Sequence, residues 1–479
     1  MTMPSLTVRH RLALLALTLG LVVAHVQPVD DGAAGVTFGP ARHVERSVLR
    51  DNMSTKTVYP EPVVADLLAA TLSTAQCVPV QLNFVVRHGT RYPTIKDITR
   101  INRTHAKLQH LARSSASEAT LVASNSTLEW IKNWTNPFPD AVEGTLASSG
   151  VDELIAIGAR LRKRFASSLS RDYDSRMHVF EHTWKERTRQ SAEAFAFGFF
   201  RGLQPVFLHA DAKGSDHVLR FYDNCPAFDV GVDQNKSATI QHARYRDSAP
   251  MKASLAAFRD QIGRATSGKS VEELDQKDME AAYAGCAFDV AVLGVEDRWC
   301  TLFDDESLLT MDYFHDLKHF YKKSHGNAVA FEIAAPLLQD MVTSMRLRAE
   351  GRSAVEGHFR FAHAETILPF ASLLNLSYFD RHASDRDGHY LADTPLHLAK
   401  ARKFRGSSLA PFAANIGFVL YDCQSPTGSQ FMVQTLLNER EVTFPECGGG
   451  GQTMCTLEQF EVLFRHWLVE YDFHLECAI

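Results

Sequence analysis

The stretch VPVQLNFVV (residues 78–86) leads without a break into RHGTRYPT (residues 87–94). The largely apolar run predicts a buried β-strand, and a histidine flanked by two arginines follows at its carboxyl end. In open α/β sheets, ligands bind beyond the carboxyl ends of the strands. Paired guanidinium groups chelate phosphate oxygens, and an imidazole kept neutral by nearby cations is nucleophilic. The octet therefore predicts a phosphate site in which His88 attacks phosphorus, with Gly89 letting the backbone turn sharply.

The surrounding sequence alternates between strand and helix patterns. Further strands are predicted at residues 177–181, 358–362, 416–421 and 431–437, and helices at residues 151–165, 192–200 and 456–468. Ser149 and Asp152 are typical of a capping box at the start of the first of these helices. Strands that alternate with amphipathic helices favour a mostly parallel sheet with helices on both faces. The predicted fold class is therefore α/β.

The middle of the chain has a different pattern. Residues 204–352 are charged and rich in helix signals, and they contain few strand signals. We interpret them as a helical insertion domain that interrupts an α/β domain made of residues 65–203 and 353–479. The preceding residues 25–64 carry several prolines and predict an exposed lead-in.

The N-terminal residues predict a signal peptide over residues 1–24. Arg9 and Arg11 precede an apolar run that ends at Ala24, and this run is short for a membrane span. An uncleaved anchor is the alternative. The C-terminal residues LECAI form neither an ER-retrieval signal nor a hydrophobic tail. We expect a secreted or secretory-lumen protein without a membrane span.

Cysteines and glycosylation sequons agree with export. The eight cysteines form no CxxC pair, which favours disulfides over zinc. Asn-x-Ser/Thr sequons, which would be open to glycosylation in a eukaryotic secretory pathway, occur at Asn52, Asn102, Asn125, Asn133, Asn235 and Asn375. The formal net charge is −6, so a nucleic acid or an anionic membrane is not the expected partner. An anionic small molecule could still bind if the basic groups are concentrated in one pocket.

The RHGTRYPT octet resembles the RHGxRxP signature of the histidine acid phosphatases. The resemblance implies that His88 is phosphorylated and that Arg87 and Arg91 hold the phosphate, with Thr94 also in the binding site. A later family segment, R-x-x-x-S-A-x-x-F, is matched by RTRQSAEAF (residues 187–195), which makes Arg187 a third phosphate ligand. Lys185 and Arg189 lie near this segment as substrate contacts or as solvated charges at a helix start.

A second segment, FAHAET (residues 361–366), departs from the usual His-Asp pair of the family. Its His-Ala-Glu sequence resembles the multiple inositol polyphosphate phosphatase branch, and this implies that His363 binds phosphate and Glu365 protonates the leaving oxygen. An extended backbone would point both side chains the same way, whereas an immediate helix start would add phosphate-binding amides. Partial burial and substrate phosphates are expected to raise the pKa of Glu365. The alternative is a glutamate that serves only the helix dipole.

The resemblance extends from about Thr71 to the C-terminus. It implies a phosphoglycerate mutase-like fold and the disulfides Cys77–Cys423, Cys225–Cys477, Cys286–Cys300 and Cys447–Cys455. The four-glycine run at residues 448–451 would help the last of these loops to close.

The predicted function is hydrolysis of inositol polyphosphates such as phytate through a phosphohistidine, without a metal or an organic cofactor. A broader acid phosphatase or a bisphosphoglycerate phosphatase is one alternative, and a non-catalytic phosphate-binding protein is another. His315 and His319 have the i, i+4 spacing of a zinc pair but lack the HExxH glutamate, so we interpret them as helix-surface histidines. The sequence gives no indication of the oligomeric state.

Overall fold

The computed structural model describes residues 46–60, 77–113, 129–165, 169–265, 271–376, 390–425, 428–442, 444–447 and 454–479. Residues 44–479 form one compact unit. The predicted signal peptide, the glycine run at residues 448–451 and much of the predicted lead-in lie outside the described residues. No described helix is long and apolar enough to cross a bilayer.

A single mixed sheet forms the centre of this unit. Its strands are β1 (Cys77–Arg87), β2 (His178–His182), β3 (Leu208–His209), β4 (Gly357–Ala362), β5 (Asn415–Ser425), β6 (Gly428–Leu437), β7 (Arg440–Val442) and β8 (Met454–Thr456). The order is β3-β2-β4-β1-β5-β6-β7, and β8 pairs with β6. The strands from β3 to β1 are parallel, whereas β5, β6, β7 and β8 pair antiparallel. The α/β class is confirmed, and the parallel pairing is confined to the half of the sheet that carries the predicted phosphate site.

Strand β1 shows why both faces of the sheet are covered. Leu82, Phe84 and Val86 point into one hydrophobic core, which they share with helices. Val85 belongs to the second core, and the amide of Asn83 on the same side donates to the Met341 carbonyl oxygen at 2.8 Å. Because side chains alternate along a strand, an almost wholly buried strand requires a helical layer on each side.

The longer helices are α1 (Arg46–Asp51), α2 (Ile95–Arg113), α3 (Ser148–Arg164), α4 (Glu186–Phe199), α5 (Ile240–Arg246), α6 (Ala249–Ala265), α7 (Gln276–Phe288), α8 (Asp305–Lys323), α9 (Ala335–Ala349), α10 (Ala364–Leu373), α11 (Leu396–Ala401) and α12 (Leu457–Leu463). Helices α3 and α4 cover one face of the sheet, and α2 with α7 to α10 contribute to the core on the other face. Helices α2 and α6 were not predicted individually from the sequence.

The predicted capping box at Ser149 is wrong. Helix α3 begins one residue earlier, after Ala147, and no side chain caps it. The Ser149 hydroxyl instead donates to the Ala291 carbonyl oxygen at 3.0 Å. A true capping box occurs at Thr456, whose hydroxyl accepts from the Gln459 backbone N–H at the start of α12.

The exposed lead-in predicted for residues 25–64 is wrong for its described part. Met53 is 1% exposed and belongs to the core, and Tyr59 is also buried. The Ser54 backbone N–H donates to Asp312 at 2.7 Å, and its hydroxyl donates to Asp316 at 3.0 Å. Buried carboxylates on α8 therefore hold this segment. The Asn52 sequon is buried here as well, so its side chain is not open to modification in the folded chain.

In the described part of residues 204–352, the regular elements are helices and the short strand β3. Their apolar side chains enter the same core as Val85 of β1, so the predicted insertion domain shares its core with the sheet. All four disulfides implied by the resemblance are confirmed: Cys77–Cys423, Cys225–Cys477, Cys286–Cys300 and Cys447–Cys455.

Candidate active site

Three neighbouring parallel strands bring the two motif histidines together. In β1 and β4, Arg87 lies opposite Ala362, so His88 and His363 directly follow the paired ends. The His88 backbone N–H donates to the Ala362 carbonyl oxygen at 3.0 Å. On the other side of β4, the Thr183 backbone N–H after β2 donates to the Phe361 carbonyl oxygen at 3.1 Å. The carboxyl ends of adjacent strands thus converge at one edge, as expected for a ligand site.

Gly89 is required by space and not by a left-handed turn. A Cβ at Gly89 would lie 2.3 Å from the Gly150 carbonyl oxygen, and a Cβ at Gly150 would lie 2.1 Å from the Thr90 carbonyl oxygen. The loop after β1 that bears His88, Gly89 and Thr90, which we call the catalytic loop, therefore packs backbone against backbone on the first turn of α3. Glu153 fixes the same loop, because its carboxylate accepts from the Thr90 N–H at 2.7 Å and from the Thr90 hydroxyl at 2.8 Å.

The His88 ring is arranged as a nucleophile. Its Nδ1 lies 2.8 Å from the Gly89 carbonyl oxygen, an acceptor, so the Nδ1 proton is donated there and the Nε2 lone pair is left available. Burial, together with the charges of Arg187 and Arg87, holds the pKa of His88 well below its ordinary value. The imidazole is consequently neutral at mildly acidic pH and can attack an electrophile.

The three predicted arginines surround this ring. Arg87 donates to the carbonyl oxygens of Thr55 and Ala410. Burial lowers the pKa of Arg87 to about 9 and that of Arg187 to about 10, and burial also lowers the pKa of Arg91. Among the described residues, the buried Nε atoms of Arg87 and Arg187 have no hydrogen-bond partner. Crowded guanidiniums with unused donors form a site that an anion would stabilise.

His363 lies at the N-cap of α10, with an extended backbone, and the helix begins at Ala364. The His363 Nε2 lies 2.9 Å from the Thr183 hydroxyl, and its Nδ1 lies 3.3 Å from an Arg187 Nη atom. Because a guanidinium can only donate, Nδ1 accepts and Nε2 carries the proton. Of the two backbone arrangements considered from the sequence, the structure has the immediate helix start, whose amides favour an anion.

Glu365 lies on the first turn of α10 and forms a salt bridge with Lys323 of α8, with Nζ–Oε1 at 2.8 Å. Burial raises the pKa of the carboxyl, but Lys323 and His363 outweigh burial, and the pKa lies well below its ordinary value. Burial alone therefore does not raise the pKa of Glu365, and the rise expected from substrate phosphates stays a prediction. No motif near Glu365 indicated this lysine, because it lies on another helix.

The remaining predicted residues lie around the site in different roles. The Thr94 hydroxyl donates to Asp97 at 2.9 Å and caps the start of α2, so its substrate contact stays a prediction. Lys185 lies over the Trp184 ring, and its pKa is lowered by burial and by nearby cations that include Arg187. Arg189 pairs with the exposed carboxylates of Glu186 and Glu193 on its own helix, which is the arrangement of a solvated charge.

Several charged residues of the site were missed. Lys56 has a pKa lowered to about 8, chiefly by burial, and the neighbouring charges are Asp97, Arg100, Arg91 and Arg87. His319 was interpreted as a surface histidine, but it lies 3.5 Å from the Thr55 hydroxyl and within electrostatic reach of Lys323 and Glu365. His315 stacks on Tyr283. Both histidines face inward, so the helix-surface interpretation is wrong, and spacing along one helix could not indicate this.

One cluster among the described residues has donor atoms at metal-binding distances, namely Glu181, Asp340 and His358. Arg360 already lies within it, because its guanidinium contacts Glu181 and Asp340 and donates to the His358 Nδ1 at 2.7 Å. A fully buried guanidinium supplies the positive charge that a metal would bring, so these residues do not fit a metal site.

Comparisons with known proteins show the family of the chain. The model of the histidine phosphatase superfamily (branch 2) matches residues 80–438. Multiple inositol polyphosphate phosphatase 1 of Homo sapiens is 29% identical over 76% of this chain and 75% of its own length. The same-named protein of Gallus gallus is 27% identical over 86% of this chain and 87% of its own.

Solved structures share the fold. The phytase from D. castellii superposes with a TM-score of 0.67 at 16% identity, covering 90% of this chain and 87% of that chain. The Bifidobacterium longum multiple inositol polyphosphate phosphatase, solved as a complex with inositol hexasulfate, superposes with a TM-score of 0.62 at 18% identity and covers 86% of this chain and 97% of that chain. With the family model spanning most of the sequence, the chain belongs to branch 2 of the histidine phosphatase superfamily and is a phosphatase of that family.

Proposed function

We propose that this phosphatase hydrolyses inositol polyphosphates, phytate among them, through a phosphohistidine on His88. The observation that carries the proposal is a neutral imidazole with a free Nε2 beside the buried Arg87 and the partly buried Arg91 and Arg187, with the Glu365 carboxyl group on the first turn of α10 within electrostatic reach of these arginines. The inositol polyphosphate class is supported by the names of the relatives, one of which was solved with inositol hexasulfate.

The first half of the reaction transfers the phosphoryl group to the enzyme. The Nε2 lone pair of His88 forms a bond to phosphorus while the bond from phosphorus to the inositol oxygen breaks. Arg87, Arg91 and Arg187 stabilise the charge on the equatorial oxygens, and His363 and the N-terminal amides of α10 contribute to the same anion site. Glu365, in its protonated form, gives its proton to the leaving oxygen.

The second half releases phosphate. A water molecule attacks the phosphorus of phospho-His88, its proton passes to Glu365, and the bond between nitrogen and phosphorus breaks. Inorganic phosphate leaves, and both His88 and Glu365 return to their starting protonation states. The positive charges supply the stabilisation that a metal ion supplies in other phosphoryl-transfer sites.

The direct experiment measures phosphate release from inositol hexakisphosphate, β-glycerophosphate and an aryl phosphate, with the inositol products separated by chromatography. We expect the highest kcat/KM for inositol hexakisphosphate. A higher kcat/KM for the aryl phosphate would favour a broad acid phosphatase, and faster turnover of a bisphosphoglycerate would favour that substrate. Binding of inositol hexakisphosphate without any phosphate release would favour a non-catalytic phosphate-binding protein.

We also propose that the enzyme is exported after cleavage near Ala24 and carries glycans. Four disulfides are typical of a chain that folds in an oxidising compartment. Expression in eukaryotic cells, followed by mass spectrometry of the mature N-terminus and of the sequon peptides, tests this. Retention of residues 1–24 on a membrane-bound product would contradict the proposal.

A further inference from the structure

The general acid of the proposed reaction is bound to a cation from the helical insertion. The Lys323 Nζ donates to the Glu365 Oε1 at 2.8 Å, and the Lys323 side chain is 16% exposed whereas that of Glu365 is 46% exposed. Both residues line a cavity of about 750 Å³. Lys213, Lys318 and Lys322 line the same cavity, as do Asp223, Asp229 and Asp233, so its wall carries charges of both signs.

The adjacent lysine is bound differently. The Lys322 Nζ donates to the Asp233 carboxylate at 2.7 Å and to the Asp233 carbonyl oxygen at 2.8 Å. Asp233 has no part in the proposed chemistry. Lys322, in the last turn of α8, therefore has its hydrogen bonds to a residue outside the reaction. Lys322 therefore provides a matched control on the same helix and in the same cavity.

The groups that face Glu365 come from several elements. The titratable or charged residues within electrostatic reach of its carboxylate are Lys323 and His319 of α8, Arg87 at the end of β1, Arg91 of the loop after β1, Arg187 of α4, Tyr222, and His363 of its own segment. Of these, Lys323 forms the direct salt bridge to the carboxylate. A phosphate held by the three arginines would neutralise their field at Glu365 but would leave this salt bridge in place.

We propose that Lys323 makes the protonation of Glu365 depend on a second phosphate of the substrate. In the structure the Lys323 ammonium pairs with the Glu365 carboxylate. A phosphate adjacent to the reacting one takes the ammonium, and Glu365 then acquires a proton from solvent and becomes the acid. This inference rests on the proposed function and deepens it, because Lys323 becomes a residue that selects polyphosphates over monophosphates.

The selection follows from simple electrostatics. A monophosphate that is held by Arg87, Arg91 and Arg187 has no second anion with which to reach Lys323, so Glu365 remains ionised and leaving-group protonation is slow. When a substrate with neighbouring phosphates binds, one of its phosphates replaces the Glu365 carboxylate as the anion that pairs with Lys323. An opposite charge at this distance lowers the pKa of a carboxyl group by about 1–3 units, which sets the size of the effect.

The test compares Lys323→Gln, Lys323→Arg and Lys322→Gln with wild type, using β-glycerophosphate and inositol hexakisphosphate. For Lys323→Gln we expect the basic limb of the kcat/KM profile on β-glycerophosphate to move up by at least about one pH unit. The ratio of kcat/KM for inositol hexakisphosphate to that for β-glycerophosphate should fall about tenfold or more. Lys323→Arg should keep both properties, and Lys322→Gln should leave the basic limb in place even if KM for the hexakisphosphate rises.

A second measurement needs only the wild-type enzyme. Profiles of kcat report groups in the substrate complex, whereas profiles of kcat/KM report the free enzyme. With inositol hexakisphosphate, the basic limb should lie at higher pH in kcat than in kcat/KM, and with β-glycerophosphate, whose phosphate reaches only the arginines, the separation of the two limbs should be smaller. If Lys323→Gln does not fold, this comparison still tests whether substrate binding changes the protonation of Glu365.

A folded Lys323→Gln variant whose β-glycerophosphate profile superimposes on that of wild type would overturn the inference. Coincident limbs for inositol hexakisphosphate in wild type would do so as well. Failure of the proposed function is a separate result, since it would be seen as wild-type enzyme that releases no phosphate from inositol hexakisphosphate.

Discussion

The rings of His88 and His363 meet edge to face, with their centroids 5.4 Å apart and their planes at 69°. The two residues follow the ends of β1 and β4, which are paired in parallel, so the sheet register itself brings them together. A proposed nucleophile and a proposed phosphate ligand are thus fixed by main-chain hydrogen bonds and not by flexible loops. Four predictions follow from the geometry around this pair.

Replacement of the nucleophile tests the covalent step. His88→Ala should lower kcat on inositol hexakisphosphate by about 10³-fold or more, because the phosphoryl acceptor is removed. Rapid quenching with ³²P-labelled substrate should yield an acid-labile, alkali-stable phosphoenzyme in wild type and none in the variant. His209→Ala, a change at an exposed residue of the edge strand β3, is the control. Full hydrolysis by His88→Ala would refute the mechanism.

The low pKa of His88 predicts that the acid limb of the kcat/KM pH profile lies at low pH. The reaction needs the neutral ring, and burial with nearby arginines keeps the pKa of His88 well below 6.5. His88 therefore becomes protonated, and loses its nucleophilic lone pair, only at pH values well below the pKa of an ordinary histidine. We expect kcat/KM for β-glycerophosphate not to fall between pH 6.5 and pH 5, and to rise as Glu365 gains its proton. An acid limb with its midpoint near pH 6.5 would contradict the assignment of His88.

The backbone contact between the catalytic loop and α3 predicts intolerance of side chains. In Gly150→Ala, the added Cβ would meet the Thr90 oxygen and nitrogen atoms at 2.1 and 2.6 Å. We expect a loss of about 1–3 kcal/mol in the free energy of unfolding, together with reduced kcat because the loop that bears His88 shifts. Urea titration and phosphate release measure the two effects. Gly231→Ala meets nothing within 4 Å and should leave both unchanged. Wild-type stability in Gly150→Ala would show that the contact is looser than described.

A buried ion-pair network should stabilise the segment that lies against Arg87. Arg402 contacts the carboxylates of Asp312 and Asp316, which also accept hydrogen bonds from Ser54. In Arg402→Met, the buried Asp316 loses its cation and the buried Asp312 keeps only Arg405, and we expect a loss of about 3–5 kcal/mol in the free energy of unfolding.

Urea titration of Arg402→Met should be compared with that of Arg465→Met, in which an arginine that is 72% exposed is replaced. The control should change stability by less than about 0.5 kcal/mol. Because Thr55 follows Ser54 and its carbonyl accepts from Arg87, Arg402→Met should also raise KM. Equal stability of the two variants would contradict a structural role for the network.

Local patterns were sufficient for much of the fold. The strand predicted at residues 78–86 is β1, and the four other predicted strands are β2, β4, β5 and β6, because alternation and apolar runs report the burial of each segment directly. The short strands β3, β7 and β8 were missed, because two or three residues are too few to show the alternation of apolar and polar side chains. A mostly parallel sheet was expected, but among the described strands only those from β3 to β1 pair in parallel, and the strand patterns do not specify the antiparallel pairing of β5 with β6.

By itself, the sequence determined the chemical composition of the site: a histidine between arginines at a strand end, a third arginine, and a His-Ala-Glu segment. Motifs report this because the reacting groups lie a few residues apart on one strand end or one helix start. Only the tertiary structure decided which charges surround Glu365. Lys323 and Lys56 reach the site from a helix and an N-terminal segment that no short motif connects to it. Coulomb energies depend on distance in space and on burial, so the ionisation state of the acid is a property of the packed molecule.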